Sequence, residues 1–140
     1  MRKKIIIGIL FLFLLIGVGY AAHNNEIFTA PSGLHPMGYN DFVDEKGHNI
    51  MIYEDTDELR SLWFENDTED GYFVQPSDSD KNIYVYAAND NDCGLLEIVQ
   101  KDGKQYIINS WTPKGASEAA TVAKNLMDFN KLNHLTPVAI

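Results

Sequence analysis

The sequence predicts an α+β domain, a mostly antiparallel β-sheet of hairpins covered by a C-terminal amphipathic helix and preceded by an N-terminal hydrophobic signal or anchor helix. Three observations carry this. Short runs rich in β-branched and aromatic residues recur between Tyr39 and Trp111, separated by turns rich in Asx and Gly. Two of those runs bracket Lys101-Asp102-Gly103-Lys104, and Asp-Gly between apolar runs is the strongest short hairpin signal. Beyond them, Ala119, Val122, Ala123, Leu126, Met127 and Phe129 form an apolar stripe at helical spacing. Strands in succession closed by a helix give a sheet with its helices on one face.

The chain opens on Met1-Arg2-Lys3-Lys4 and then runs from Ile5 to Ala22 without a charged side chain. A basic stretch before an apolar one is an export signal. A helix over residues 5–22 rises about 27 Å, close to the roughly 30 Å of a bilayer core, so the segment is either a cleaved signal peptide or a retained transmembrane anchor. Small residues in Gly19-Tyr20-Ala21 suit cleavage after Ala21. In both cases Arg2, Lys3 and Lys4 stay on the cytoplasmic side and the rest crosses. The expected organisation is residues 1–22 as signal or anchor and residues 23–140 as one extracytoplasmic domain. The protein is then single-pass with its C-terminus outside, or secreted.

After a polar tether from His23 to Glu26, Ile27 to Gly33 reads as a brief strand ending in a Pro/Gly turn. Tyr39–Val43 and Asn49–Glu54 flank Asp44-Glu45-Lys46-Gly47, a hairpin whose glycine takes the positive φ of a bulged loop. Asp55 or Thr56 caps a short helix carrying Leu59, Leu62 and Trp63, which breaks at Asn66–Gly71. Tyr72–Gln75 and Asn82–Ala88 are two further strands, joined across Pro76–Lys81. A two-residue Asp102-Gly103 loop sets Val99 opposite Tyr106, Glu97 opposite Ile108 and Ile98 opposite Ile107, whereas a bulged loop at Gly103 shifts that register by one. Ser117 caps the closing helix, which runs to about Lys131.

The net charge of −9 is unevenly placed. Between Asp41 and Asp92, fifteen acids stand against Lys46, Arg60 and Lys81, a balance of −12, whereas the chain from Cys93 onward is at +1. Such a field argues against nucleic acid and against electrostatic docking on anionic lipid, and leaves cations and basic partners open. The plainer reading is a solvated acidic surface that keeps an exported domain soluble. One cysteine, Cys93, excludes an intramolecular disulfide, so packing alone holds the domain; its plainest role is that of a small apolar filler.

Chemical signals are sparse. Cys93 with His35, His48 or His134 is the only nucleophile and base combination, and no nucleophile turn accompanies it. The four histidines and one cysteine lack zinc spacing. Asp78, Asp80, Asp90 and Asp92 are the weak metal candidates. Asp78, Asp80 and Asn82 alternate as in a calcium loop, yet Ile83 stands where such a loop needs Gly and Asn89 where it needs Glu. Asx-rich turns that bond their own backbone explain the same residues. Asn66-Asp67-Thr68 is an N-glycosylation pattern of low specificity. Glu97 inside an apolar strand is unusual, and a residue of the covering helix such as Lys124 is its expected partner. No organic cofactor is implied.

The basic start, the entry Ala30-Pro31-Ser32-Gly33, the Asp-Gly hairpin and the closing Phe129-Asn130-Lys131-Leu132-Asn133 resemble small exported proteins of methanogenic archaea to which no activity is assigned. The resemblance implies location and no mechanism. The function expected is therefore a non-enzymatic surface module that binds a protein or cell-envelope partner through an acidic sheet-and-loop face. A calcium-dependent module and an enzyme of unrecognised class are the alternatives.

Overall fold

A computed structural model describes residues 24–64, 75–78 and 80–139. The signal or anchor expected over residues 1–22, the break expected at Asn66–Gly71 with its glycosylation pattern, and most of the strand expected over Tyr72–Gln75 lie outside the described residues. Among the described residues, seven strands form one sheet: β1 (His35–Met37), β2 (Asp41–Val43), β3 (Asn49–Glu54), β4 (Gln75–Pro76), β5 (Ile83–Ala88), β6 (Cys93–Lys101) and β7 (Lys104–Thr112). Their order is β1-β2-β3-β7-β6-β5-β4, and every neighbouring pair is antiparallel. Helix α1 (Asp57–Phe64) follows β3, and α2 (Ala119–Asn133) closes the chain after a 3₁₀ turn at Ala116–Glu118. Among the described residues, no helix is long and apolar enough to cross a membrane.

The central hairpin has the register that its turn chemistry dictates. Val99 pairs with Tyr106, Ile98 with Ile107 and Glu97 with Ile108. Asp102 and Gly103 both take positive φ, 52° and 82°, the pair of left-handed residues that a two-residue hairpin loop requires. The β2–β3 hairpin also forms, with Gly47 at φ 90°. Thr56, rather than Asp55, caps α1: its Oγ1 accepts the Leu59 N–H at 3.2 Å. Asp55 instead accepts two hydrogen bonds from the Arg60 guanidinium and one from the Gln105 amide at 2.9 Å.

The sheet is buried on both faces. Alternation places Ile50, Ile52, Tyr106, Ile108 and Val99 on one face, where they pack with Phe28, Phe42, Leu126 and Phe129 under α2. Tyr53, Leu96, Ile98 and Ile107 point the other way and pack against Leu59 and Trp63 of α1. The rings of Tyr53 and Trp63 meet edge to face at 5.2 Å. The expectation that helices share one face is thus corrected. Consecutive apolar residues such as Ile107-Ile108 and Ile98-Val99 load both faces, and each face needs its own cover.

The N-terminal stretch departs from its expected form. Ile27 to Gly33 is no strand; the edge strand is β1, a few residues on. Nor are Asn24 and Asn25 a loose tether, since they are 7% and 3% exposed. A segment outside the ladder must satisfy buried backbone groups another way, and asparagine amides do so here. Asn24 Nδ2 donates to Asn40 Oδ1 at 2.9 Å and to the Ile52 carbonyl at 3.1 Å. Asn25 Nδ2 donates to the carbonyls of Gly38 and Asp41. From α2, Asn133 accepts the Thr29 N–H at 2.6 Å and donates to the Thr29 carbonyl at 2.9 Å. Phe28, so positioned, packs edge to face on Tyr106 at 5.1 Å.

Ser117 lies in the 3₁₀ turn and is exposed; α2 begins at Ala119 with no side-chain cap. Its other end is closed by His134 at φ 55°, whose N–H returns to the Lys131 carbonyl. The tail then follows β6 beyond the start of β5, where Val138 donates its N–H to the Ile98 carbonyl at 2.8 Å.

Candidate functional site

Antiparallel pairing brings the ends of β2, β5 and β7 and the beginnings of β3 and β6 to one end of the sheet. Three connections meet there: residues 44–48, 89–92 and 113–118. In the first, Asp44 Oδ1 accepts the N–H groups of Lys46 at 2.8 Å and His48 at 2.9 Å, while Oδ2 lies 2.9 Å from His48 Nδ1. Burial pushes the Asp44 carboxyl up, but those donors and the imidazole outweigh it, and its pKa falls below the ordinary value. An ionised Asp44 makes Nδ1 the protonated nitrogen of His48. Nε2 then faces Glu118 Oε2 at 3.7 Å, so a side chain only 3% exposed sits between two carboxyls.

The second connection is an Asx-closed loop. Asn89 Oδ1 accepts the N–H groups of Asn91 and Asp92, both at 2.8 Å. Asp92 Oδ1 accepts the Trp111 indole N–H at 3.1 Å, fastening the loop to β7. The third connection is pressed onto the second: Ala116 donates its N–H to the Asn89 carbonyl at 2.7 Å. A Cβ on Gly115, which sits at φ 86°, would fall 2.3 Å from the Asp90 carbonyl oxygen. A Cβ on Gly47 would lie 3.7 Å from Pro113 and Lys114, so the third connection also borders the first turn. The three loops therefore make one tied ledge, with Glu45 and Asp90 exposed on it and Asp44, Asp92 and Glu118 set into it.

This geometry sorts the residues singled out from the sequence. Asp90, Asp92, Cys93 and His48 share the ledge end. Asp78 and Asp80 belong to the β4–β5 loop, at the other end of β5. There Asp80 Oδ1 accepts the Asn82 N–H at 2.9 Å and Ser77 brackets the turn, while Asp78 is exposed. Among the described residues, no group of three or more His, Cys, Asp or Glu is placed to hold a metal ion. Cys93 pairs with Thr112 at the base of β6 and is 4% exposed. Burial pushes its thiol pKa up, the reverse of what activates a nucleophile. His48 precedes Asn49, the partner of Trp111, so β7 stands between it and Cys93. His35 is exposed on the edge strand and His134 is exposed at the helix end.

The acids do not form a sheet face. Among the described residues they lie in loops at both ends of the sheet and at the start of α1; of those on strands, Glu54 is exposed, whereas Asp41 and Glu97 are largely withdrawn from solvent. Asp41, on the α1 side of the sheet beside Met51, is raised by burial to about 7. Its charge adds to the burial that holds the Tyr53 phenol far above its ordinary value. Glu97, on the α2 side, is 0% exposed and accepts from Asn130 Nδ2 at 2.6 Å. Asn130, and not Lys124, is its partner; Lys124 reaches Asp128 one turn along its own helix. The sequence signal for both acids is an inward position in the strand alternation, legible for Glu97 and missed for Asp41.

Compared with protein-family models, with curated proteins and with solved structures, the chain matches none.

Proposed function

We propose that this chain is an exported, non-enzymatic binding module, held at the membrane by residues 5–22 or released by cleavage after Ala21, and that it engages a basic protein or cell-envelope partner through the ledge. Its kinship with small exported archaeal proteins belongs to the same proposal. The observation that carries the reading is the tying of three loops into one surface by the Asn89–Ala116 hydrogen bond and the 3.7 Å approach of His48 to Glu118, with Asp92–Trp111 fastening the second loop to β7. Loops ordered by a scaffold present side chains at fixed spacing, which lowers the ordering cost of binding. Glu45 and Asp90 project from this surface, and a negative field steers a cationic partner toward it.

The test is binding of the labelled full chain, in mild detergent, to cell envelopes of its source organism. Reversing charge at the ledge, Glu45→Lys with Asp90→Lys, is expected to lower affinity tenfold or more. The same reversal on α1, Asp57→Lys with Glu58→Lys, is expected to change it less than twofold. Equal loss from both pairs would reduce the effect to net charge and end the reading.

A further inference from the structure

The Glu97–Asn130 contact is short of one proton. Asn130 Nδ2 donates to Glu97 Oε1, which leaves Glu97 Oε2 and Asn130 Oδ1 as the remaining oxygens of the same pair. Both are buried, and neither has a hydrogen-bond partner among the described residues. Two acceptors left over on one contact are what a single O–H would satisfy, because a carboxylic acid facing a carboxamide closes with one N–H···O and one O–H···O bond. An ionised carboxylate here would instead be a buried charge with one donor and no counter-charge, and such a charge is far more costly than a neutral acid.

The surroundings agree from every side. The cross-strand neighbours of Glu97 are Ile83 on β5 and Ile108 on β7, both apolar. Leu126 and Phe129 of α2 cover the same core. The charged group that acts on Glu97 is Asp80 of the β4–β5 loop, and its negative charge disfavours a second one. On α2, Lys124 is paired with Asp128, and Lys131 is exposed to solvent.

We propose that Glu97 is held as the neutral acid, its Oε2–H offered to Asn130 Oδ1, and that this proton is a latch fastening the C-terminal half of α2 to the sheet. Removing the proton puts a carboxylate against the Asn130 carbonyl oxygen and loosens the helix, together with the tail that follows Asn130 to β6. The device is independent of the ledge and stands or falls without it.

Burial raises the Glu97 carboxyl from 4.5 to about 8, against a lowering contribution from Asn130. Between those values the folded state binds a proton that the unfolded state has lost, so stability falls as pH rises. It is fully present below about 4.5 and lost through about 8, by up to about tenfold in the folding constant per pH unit for one proton.

Two measurements on the full chain in detergent micelles test this. Infrared difference spectroscopy should show a protonated-carboxyl band at pH 6 in the wild type that persists in Asp41→Asn, is diminished in Glu97→Gln and is missing from the variant carrying both substitutions. A wild type without that band, or an undiminished band in Glu97→Gln, overturns the latch, and the first of these needs no variant to fold. In unfolding titrations from pH 5 to pH 9, Glu97→Gln, whose amide can pair with Asn130 at any pH, should lose the one-proton slope. An unchanged slope also overturns it.

Discussion

Asn24→Ala removes a side chain whose two hydrogen bonds fasten the first described residues to β3 and to the β1–β2 turn. Its amide donates to Asn40 Oδ1 and to the Ile52 carbonyl, and Asn24 is 7% exposed. Alanine leaves both acceptors one donor short in a place water does not reach. A buried group left unsatisfied costs about 1–3 kcal/mol, so the substitution should cost about 2–4 kcal/mol, a large share of the roughly 5–15 kcal/mol that holds a domain folded. With a urea slope of about 1–3 kcal/mol per M, the unfolding midpoint should fall by about 1–2 M. The assay is urea unfolding of the full chain in mild detergent, followed by tryptophan fluorescence. Asn91→Ala, at an exposed loop position, serves as the control and should stay within about 0.5 kcal/mol. If Asn24→Ala shifts the midpoint no further than that control, residues 24 and 25 are a tether after all and the fold begins later.

Gly115→Ala combines a positive φ with a methyl driven into the Asp90 carbonyl, whereas Gly103→Ala, also at positive φ, meets open space. Thermal melts should show the first destabilised well beyond the second, which bears only the left-handed strain of about 1–2 kcal/mol; equal losses would contradict the close seating of the loops. Asp41→Asn should flatten part of the stability profile between pH 3.8 and about 7. There the folded state keeps a proton that the unfolded state gives up, so stability falls as pH rises. Parallel wild-type and variant profiles would show that Asp41 titrates normally. Calcium should leave the melting temperature unchanged, because Asp80 and Asn89 already accept hydrogen bonds in their own turns and Asp92 accepts the Trp111 indole N–H; a rise of several degrees would reverse that assignment.

What was legible followed from local rules. Asp102-Gly103 imposed both a loop and a register, and Thr56 followed by Leu59, Leu62 and Trp63 marked a capped helix. The failures share a cause, which is dependence on distant partners. Nothing near Ile27-Phe28 tells a strand from an irregular segment whose backbone is satisfied by Asn133, 104 positions away from Thr29. His35-Pro36-Met37 shows no alternation, and it is a strand because β2 lies beside it. On charge alone Lys124 is the partner expected for Glu97, but a fully buried carboxyl can shed its charge, and Asn130 suits the neutral form. The ledge was visible only as scattered acids and one cysteine, since its unity comes from antiparallel topology that collects loops about 20 to 70 residues apart.

The claim that the ledge is the binding surface is tested most directly by photo-cross-linking in the source cells. A cross-linkable residue replaces Glu45 or Asp90 on the ledge, or Asp57 or Glu58 on α1, in the full chain. One discrete adduct is expected from the ledge positions and none from α1. Adducts from α1 alone, or none from either ledge position, would contradict it.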